Sequence, residues 1–212
     1  MSDPILPLLV LEGSDEWHLL RSVDERIAKL FPDNTMPKSR KGENVSGPTI
    51  AKRLSTALLS SEKGTVCVIC DAESTGPQKQ WDDIKEVLSN QGYPDLPDQC
   101  PPDGYLGSRD ELKRVGVWIM PNNLDNGMLE DFYLSAIPAN NPELLLADPF
   151  VRSIMKPLFK DKISKATLGV WLGIQKNPVS AGVALKRNWI EKDSGHFPPF
   201  LVWLARLFPE EL

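Results

Sequence analysis

The chain has 212 residues, 41% hydrophobic and 25% charged, with a net charge of −5. That length suits one large domain or a domain with an appendage, and the balance is that of an ordinary globular protein rather than a disordered or generally basic one. No apolar stretch is long enough to span a bilayer, no basic region followed by an apolar run opens the chain, and the three cysteines are an odd number, so no membrane association and a cytoplasmic location are expected.

Ile5 to Leu11 is apolar and predicts a first strand, which Glu12-Gly13-Ser14-Asp15 turns into a helix. Ser14 is placed to cap that helix, and Asp15 and Glu16 suit its positive end. Trp17, Leu20, Val23, Ile27 and Leu30 recur at helical spacing and predict one helix to about Phe31, ended by Pro32. Residues 32–47 are polar and rich in turn formers, with Lys38, Arg40 and Lys41 close together, and predict a loop near the strand ends. Pro48 opens a helix carrying Ile50, Leu54, Ala57 and Leu58.

Val66-Cys67-Val68-Ile69-Cys70 then reads as a central strand buried on both faces, ending in Asp71-Ala72-Glu73. Cys67 and Cys70 stand three positions apart and face opposite ways, as small core residues rather than a redox or zinc pair. On an extended segment Asp71 and Glu73 project to the same side. Two anions held together in a cleft need a cation or a shared proton, and carboxylate oxygens suit magnesium, manganese or calcium. In open α/β sheets, ligands gather at the carboxyl ends of such strands.

Gly76-Pro77 starts a helix with Trp81, Ile84, Val87 and Leu88 on one face, closed by Gly92. Residues 93–114 form a connection or short hairpin. Val115 to Met120 is a further buried strand, 121–127 a loop, and a helix follows from Met128 with Glu130 and Asp131 in its first turn. This alternation predicts an α/β fold, a mostly parallel sheet flanked by helices. From Asp148 onward only helices are expected: 163–174, Ala181 to Ile190, and Phe200 to Phe208 after Pro198-Pro199. The last is apolar nearly all round apart from Arg206 and is expected to be buried. Residues 1–147 would make the α/β core and 148–212 a helical C-terminal extension packed on it. Charge divides similarly: residues 1–150 hold 14 Lys and Arg against 24 Asp and Glu, for −10, and 151–212 hold 10 against 5, for +5. An acidic front and a basic tail fit metal chemistry in one part and anion contact in the other. Gly169, Gly173 and Gly182 read as close helix packing, and His18 and His196 as structural residues.

Leu-Glu-Gly at 11–13 and Asp-Ala-Glu at 71–73 resemble the TOPRIM pattern of topoisomerases, primases and defence nucleases: a glutamate after the first strand and an acid-x-acid motif after a later one. The likeness is closer to a TOPRIM-like family of uncharacterised small proteins. It extends through Glu12-Gly13-Ser14-Asp15, Pro121-Asn122-Asn123, Gly127-Met128-Leu129-Glu130-Asp131, Trp171-Leu172 and Asn177-Pro178, nearly the whole chain. The chain departs from the pattern at Glu73, where aspartate is usual, and at Asn122, where an acid is expected. The resemblance implies a TOPRIM-like (Rossmann-like) core and a Mg2+ (or Mn2+) site, with Glu12, Asp71 and Glu73 catalytic and metal-binding and Glu130 or Asp131 completing a second metal site. Asp15, Lys38, Lys41 and Asn123 would support that site or contact phosphate. It implies a nuclease or other phosphodiesterase acting on DNA or RNA, in prokaryotic (phage) defence with an ATPase protein partner, and leaves a homo-oligomer open. The alternative is a TOPRIM-shaped module that binds nucleic acid or protein without chemistry. Each acid also has a plainer role: Asp71 and Glu73 as caps of the following helix, Glu12 as a turn acid, Glu130 and Asp131 as partners of a helix dipole.

Overall fold

A computed structural model describes residues 7–30, 49–60, 64–109, 113–154 and 162–209. The apolar run at its centre forms strand β2 (Gly64–Asp71), flanked by β1 (Leu8–Leu11) and β4 (Lys113–Met120), both parallel to it. The fourth strand, β3 (Tyr105–Arg109), lies inside the stretch that the sequence leaves as a connection or short hairpin, and pairs antiparallel with β4 at the sheet edge. The order β1-β2-β4-β3 is thus a mixed, mostly parallel α/β sheet.

Alternation along the strands sends side chains to two cores. Val66, Val68 and Cys70 of β2 join Val115, Val117 and Ile119 of β4 under helices α3 (Ile50–Ser60) and α4 (Pro77–Asn90). Cys67 and Ile69 face the other way, with Leu9, Leu11, Trp118 and Met120. That second face is covered by α1 (Ser14–Val23), α2 (Glu25–Leu30), α5 (Leu129–Leu134), α7 (Ile163–Gly173), α8 (Ala181–Lys186) and α9 (Phe197–Leu207). The two cysteines therefore sit in opposite cores, and burial raises both thiols far above the ordinary range. Helix α6 (Pro142–Ile154) runs across position 147/148.

Helix α9 packs on β4. Phe197, Phe200, Trp203, Leu204 and Leu207 are buried, and Trp203 lies 5.6 Å from the Trp118 ring and donates Nε1–H to the Tyr105 carbonyl at 3.1 Å. Two glycines seat it. A Cβ at Gly104, whose φ is +73°, would stand 2.6 Å from Trp203 Cδ1, and one at Gly116 would stand 2.6 Å from Leu207 Cδ2.

Three local expectations are corrected. The first long helix is two helices, because Asp24 takes an extended backbone and accepts the Arg26 N–H at 2.8 Å, closing α1 and starting α2. Ser14 does not cap α1 but is its first residue; Glu16 Oε2 instead accepts the Gly13 N–H at 2.8 Å. Gly169 and Gly173 are not packed glycines, since no described atom lies within 4 Å of where a Cβ would stand. Among the described residues no helix is long and apolar enough to cross a membrane.

Candidate functional site

The site lies where β1 and β2 end side by side. Their register pairs Leu11 with Ile69, so Glu12, the next residue, comes level with Cys70, one residue short of Asp71, the last of β2. Glu12 Oε1 accepts the Asp71 N–H at 3.2 Å, and Asp71 Oδ1 accepts the Leu129 N–H of α5 at 2.9 Å. Two carboxylates separated by 59 positions are thereby tied to one rim of the sheet.

Glu12, Asp15, Glu16, Asp71, Glu73 and Glu130 line one open cleft of about 330 Å³, with Lys162 and Lys165 the cations on its wall. Glu73 reaches it from an unexpected backbone. The strand stops at Asp71, and Glu73 takes a left-handed conformation with φ 51°. It is held there by a bridge to Gly127: Glu73 N–H donates to the Gly127 carbonyl at 2.7 Å, and Gly127 N–H to the Glu73 carbonyl at 3.1 Å. The acid-x-acid pair is therefore not two positions of one extended segment. A glutamate at positive φ is uncommon and carries a backbone cost of about 1–2 kcal/mol.

The other expected residues divide. Glu130 lines the cleft with its side chain 12% exposed, and Lys165 of α7 reaches it, Nζ to Oε1 3.2 Å. Asp131 turns away: Oδ2 accepts the Met128 N–H at 2.9 Å and Oδ1 accepts from the Ser164 hydroxyl, so it caps the start of α5 and ties α7 to it. Asn123 is buried; its Oδ1 accepts the Ile119 N–H at 2.7 Å and its amide donates to the Pro102 carbonyl at 3.2 Å. Asn122 caps its own turn through the N–H groups of Leu124 and Asp125. Lys38 and Lys41 lie outside the described residues. Sequence reading missed Glu16, Lys162 and Lys165 as members of this cleft. Glu16 follows two residues after the Glu12-Gly13-Ser14 turn and was legible as a neighbour, whereas nothing local to Lys165 announces Glu130.

Crowding of acids has an electrostatic consequence. Loss of hydration is the main cause lifting the Glu12 pKa from 4.5 to about 7; the Asp71 N–H opposes it, and Glu16 and Glu73 add to it. Asp71 rises from 3.8 to about 8, first by loss of hydration, then by the charges of Glu12 and Glu16, with the Leu129 N–H opposing. The ammonium of Lys165 is stabilised chiefly by Glu130, with Asp15 and Asp71 contributing. Raised carboxyl pKa values mean that the native state holds protons the unfolded chain has released. Their contribution to stability is present at low pH and is lost as the pH climbs through about 7 and about 8. Glu12 is exposed by surface area and Asp71 half-buried, so water screens the pair. The expected loss between about pH 5 and pH 8.5 in chelator is about 1–2 kcal/mol, well under the bare conversion of the shifts. Urea titrations across that interval check it. The wild type should lose stability relative to Asp71→Asn, and parallel profiles would refute the coupling.

The donors are of the kind that magnesium or manganese accepts: hard carboxylate oxygens at a strand end, mutually repelling and short of hydration. Each backbone hydrogen bond to Glu12 or Asp71 occupies one of two carboxylate oxygens. Among the described residues no three His, Cys, Asp or Glu side chains already stand as a metal cage. The residues fit a divalent ion by donor type and charge, with Glu12, Asp71 and Glu73 its candidate holders.

A family model described as a protein of unknown function (DUF3226) matches residues 7–209. No curated protein and no solved structure matches the chain.

Proposed function

The chain belongs to the DUF3226 family, and from that premise and the carboxylates at the ends of β1 and β2 we propose a metal-dependent phosphodiesterase, a nuclease of TOPRIM-like type acting on DNA or RNA. The observation that carries the proposal is the pairing of Glu12 with Asp71 in one cleft, their pKa values lifted to about 7 and about 8. Two acids so close together call for a cation, and strongly perturbed carboxyls in a cleft mark candidate catalytic groups.

Asp71 and Glu73 would hold Mg2+ or Mn2+, with Glu12 beside them. A divalent ion bound there supplies Lewis-acid polarisation of a phosphoryl oxygen and a more acidic water. Glu12, whose pKa lies near neutrality, is suited to take a proton from an attacking water and return it to a leaving alkoxide. Lys165, on the cleft wall and 3.2 Å from Glu130, is placed to meet a phosphate that displaces it from that carboxylate. An ATPase protein partner and a role in prokaryotic defence belong to the same reading and rest on the resemblance alone.

The test is a magnesium and manganese titration by calorimetry, paired with cleavage assays on DNA and RNA. Wild type should take up metal and cleave; Glu12→Gln, which can still accept the Asp71 N–H, should lose at least about tenfold in metal affinity. Absence of both metal uptake and cleavage in the wild type would overturn the proposal. A second reading, a non-catalytic TOPRIM-shaped module, is favoured by Asn122 and Asp131. One stands where an acid is expected and holds a turn, and the other spends both oxygens on helix contacts. That module predicts nucleic-acid or protein binding indifferent to Asp71→Asn.

A further inference from the structure

A second cavity, about 270 Å³, opens off the acidic cleft, and Asp15, Leu129, Glu130 and Lys165 line both. Its inner walls differ in kind. Leu129 and Tyr133 come from α5, Leu168 and Leu172 from α7, and Ala181 from α8, so the lining is mainly apolar. Polar groups stand at intervals around it: Asp15 and His18 from α1, and Ser180. Gly169 gives the cavity its breadth, for among the described residues nothing lies within 4 Å of where its Cβ would be.

We infer that this cavity is a nucleobase subsite, taking one base of the strand whose phosphate lies in the adjoining cleft. The inference rests on the phosphodiesterase reading for the phosphate and on the cavity itself for the base. Size favours a single ring system: ligand pockets span about 300–1,000 Å³, and this one lies just under that range, too small for a whole nucleotide. Charge favours a neutral occupant: Lys165, the one Lys or Arg in the lining, is already taken by Glu130 or by the phosphate of the adjoining cleft, and Asp15 and Glu130 would repel a second phosphate. Chemistry favours a base over a plain hydrocarbon. Leu172, half-buried, and the edges of Leu168 and Tyr133 that reach the cavity offer apolar contact, while Asp15 and Ser180 can accept from exocyclic amines. A base in such a pocket has left its stack, so the substrate is single-stranded or splayed at the scissile position and not a continuous duplex.

The experiment uses adenosine, which carries no phosphate and needs no metal, as the calorimetric probe of the full chain in chelator. Wild type should bind it, and Gly169→Leu should weaken binding at least tenfold. Gly173→Leu, on the same helix and equally open but outside the cavity, should bind as wild type. Both leucines favour a helix over glycine, and melting curves confirm that the variants fold. Ala181→Leu fills the cavity from the opposite wall and should repeat the loss. No adenosine binding by wild type, or equal binding by Gly169→Leu and Ala181→Leu, overturns the subsite. Adenosine binding that depends on Gly169, in a protein that takes up neither magnesium nor manganese and cleaves no nucleic acid, would leave the subsite standing and sink the phosphodiesterase.

Discussion

Asp71→Asn is expected to lower metal-dependent phosphodiester cleavage at least about 10³-fold, about 4 kcal/mol of barrier, while making the metal-free protein more stable at pH 8. The substitution is nearly isosteric, and the asparagine carbonyl can still accept the Leu129 N–H that Asp71 accepts at 2.9 Å. What it removes is a charge that Glu12 and Glu16 oppose and that a divalent ion would neutralise. Opposite signs for activity and stability separate a functional carboxylate from one that only holds the turn: a structural acid would lose both. Single-turnover cleavage with magnesium, beside urea unfolding in chelator, reads both numbers. Activity within a few fold of wild type would show that the cleft is not the reacting site.

Trp203→Ala should cost about 3–5 kcal/mol of stability, in line with other fully buried large aromatics. Trp203 is 1% exposed, stacks on Phe200 at 5.7 Å, tilts against Trp118 at 5.6 Å and donates to the Tyr105 carbonyl. Removing it opens a cavity at the point where Gly104 has no side chain so that α9 can approach. The rest of the helix cannot slide in to fill it, because Leu207 is equally close over Gly116. Equilibrium urea unfolding measures the loss. A change under about 1 kcal/mol would mean that α9 adds little to the sheet, contrary to its burial. Trp203→Phe should recover part of the loss but not the bond to Tyr105.

Residues 66–70 were readable as a strand because β-branched and small apolar side chains alternate into two cores without interruption, and the structure sends them to both. Helix α4 was readable because Gly76-Pro77 opens it and Trp81, Ile84 and Leu88 return to one face. Strand β3 was not. Tyr105-Leu-Gly-Ser-Arg109 is short, carries a glycine in the middle and lies at an edge, where one neighbour supplies all its pairing. The break at Asp24 hid behind an unbroken apolar spacing, since Val23 and Ile27 keep the helical period while the Asp24 backbone leaves it. In the site, Glu12 and Asp71 could be found from the strand ends, because parallel neighbours bring their last residues together. Lys165 could not: it is 35 positions from Glu130, and only the packing of α7 against α5 brings the two together. Asn123 and Asp131 show what residue type alone leaves open. Polar side chains beside a cleft also hold turns and helix ends, as Asn123 does for the turn after β4 and Asp131 for the start of α5.

The clasp between Glu73 and Gly127 has a consequence for how this protein can change over generations. It splices the segment after β2 to the segment after β4, and Asn126 adds a third tie to the Ser74 carbonyl at 3.2 Å. Neither segment can gain or lose a residue alone without unfastening the other, and Gly127, at φ 143°, has no room for a side chain beside Asp131. Insertions should therefore be inherited in matched pairs or not at all, and diversification of this rim should fall to the stretches outside the clasp.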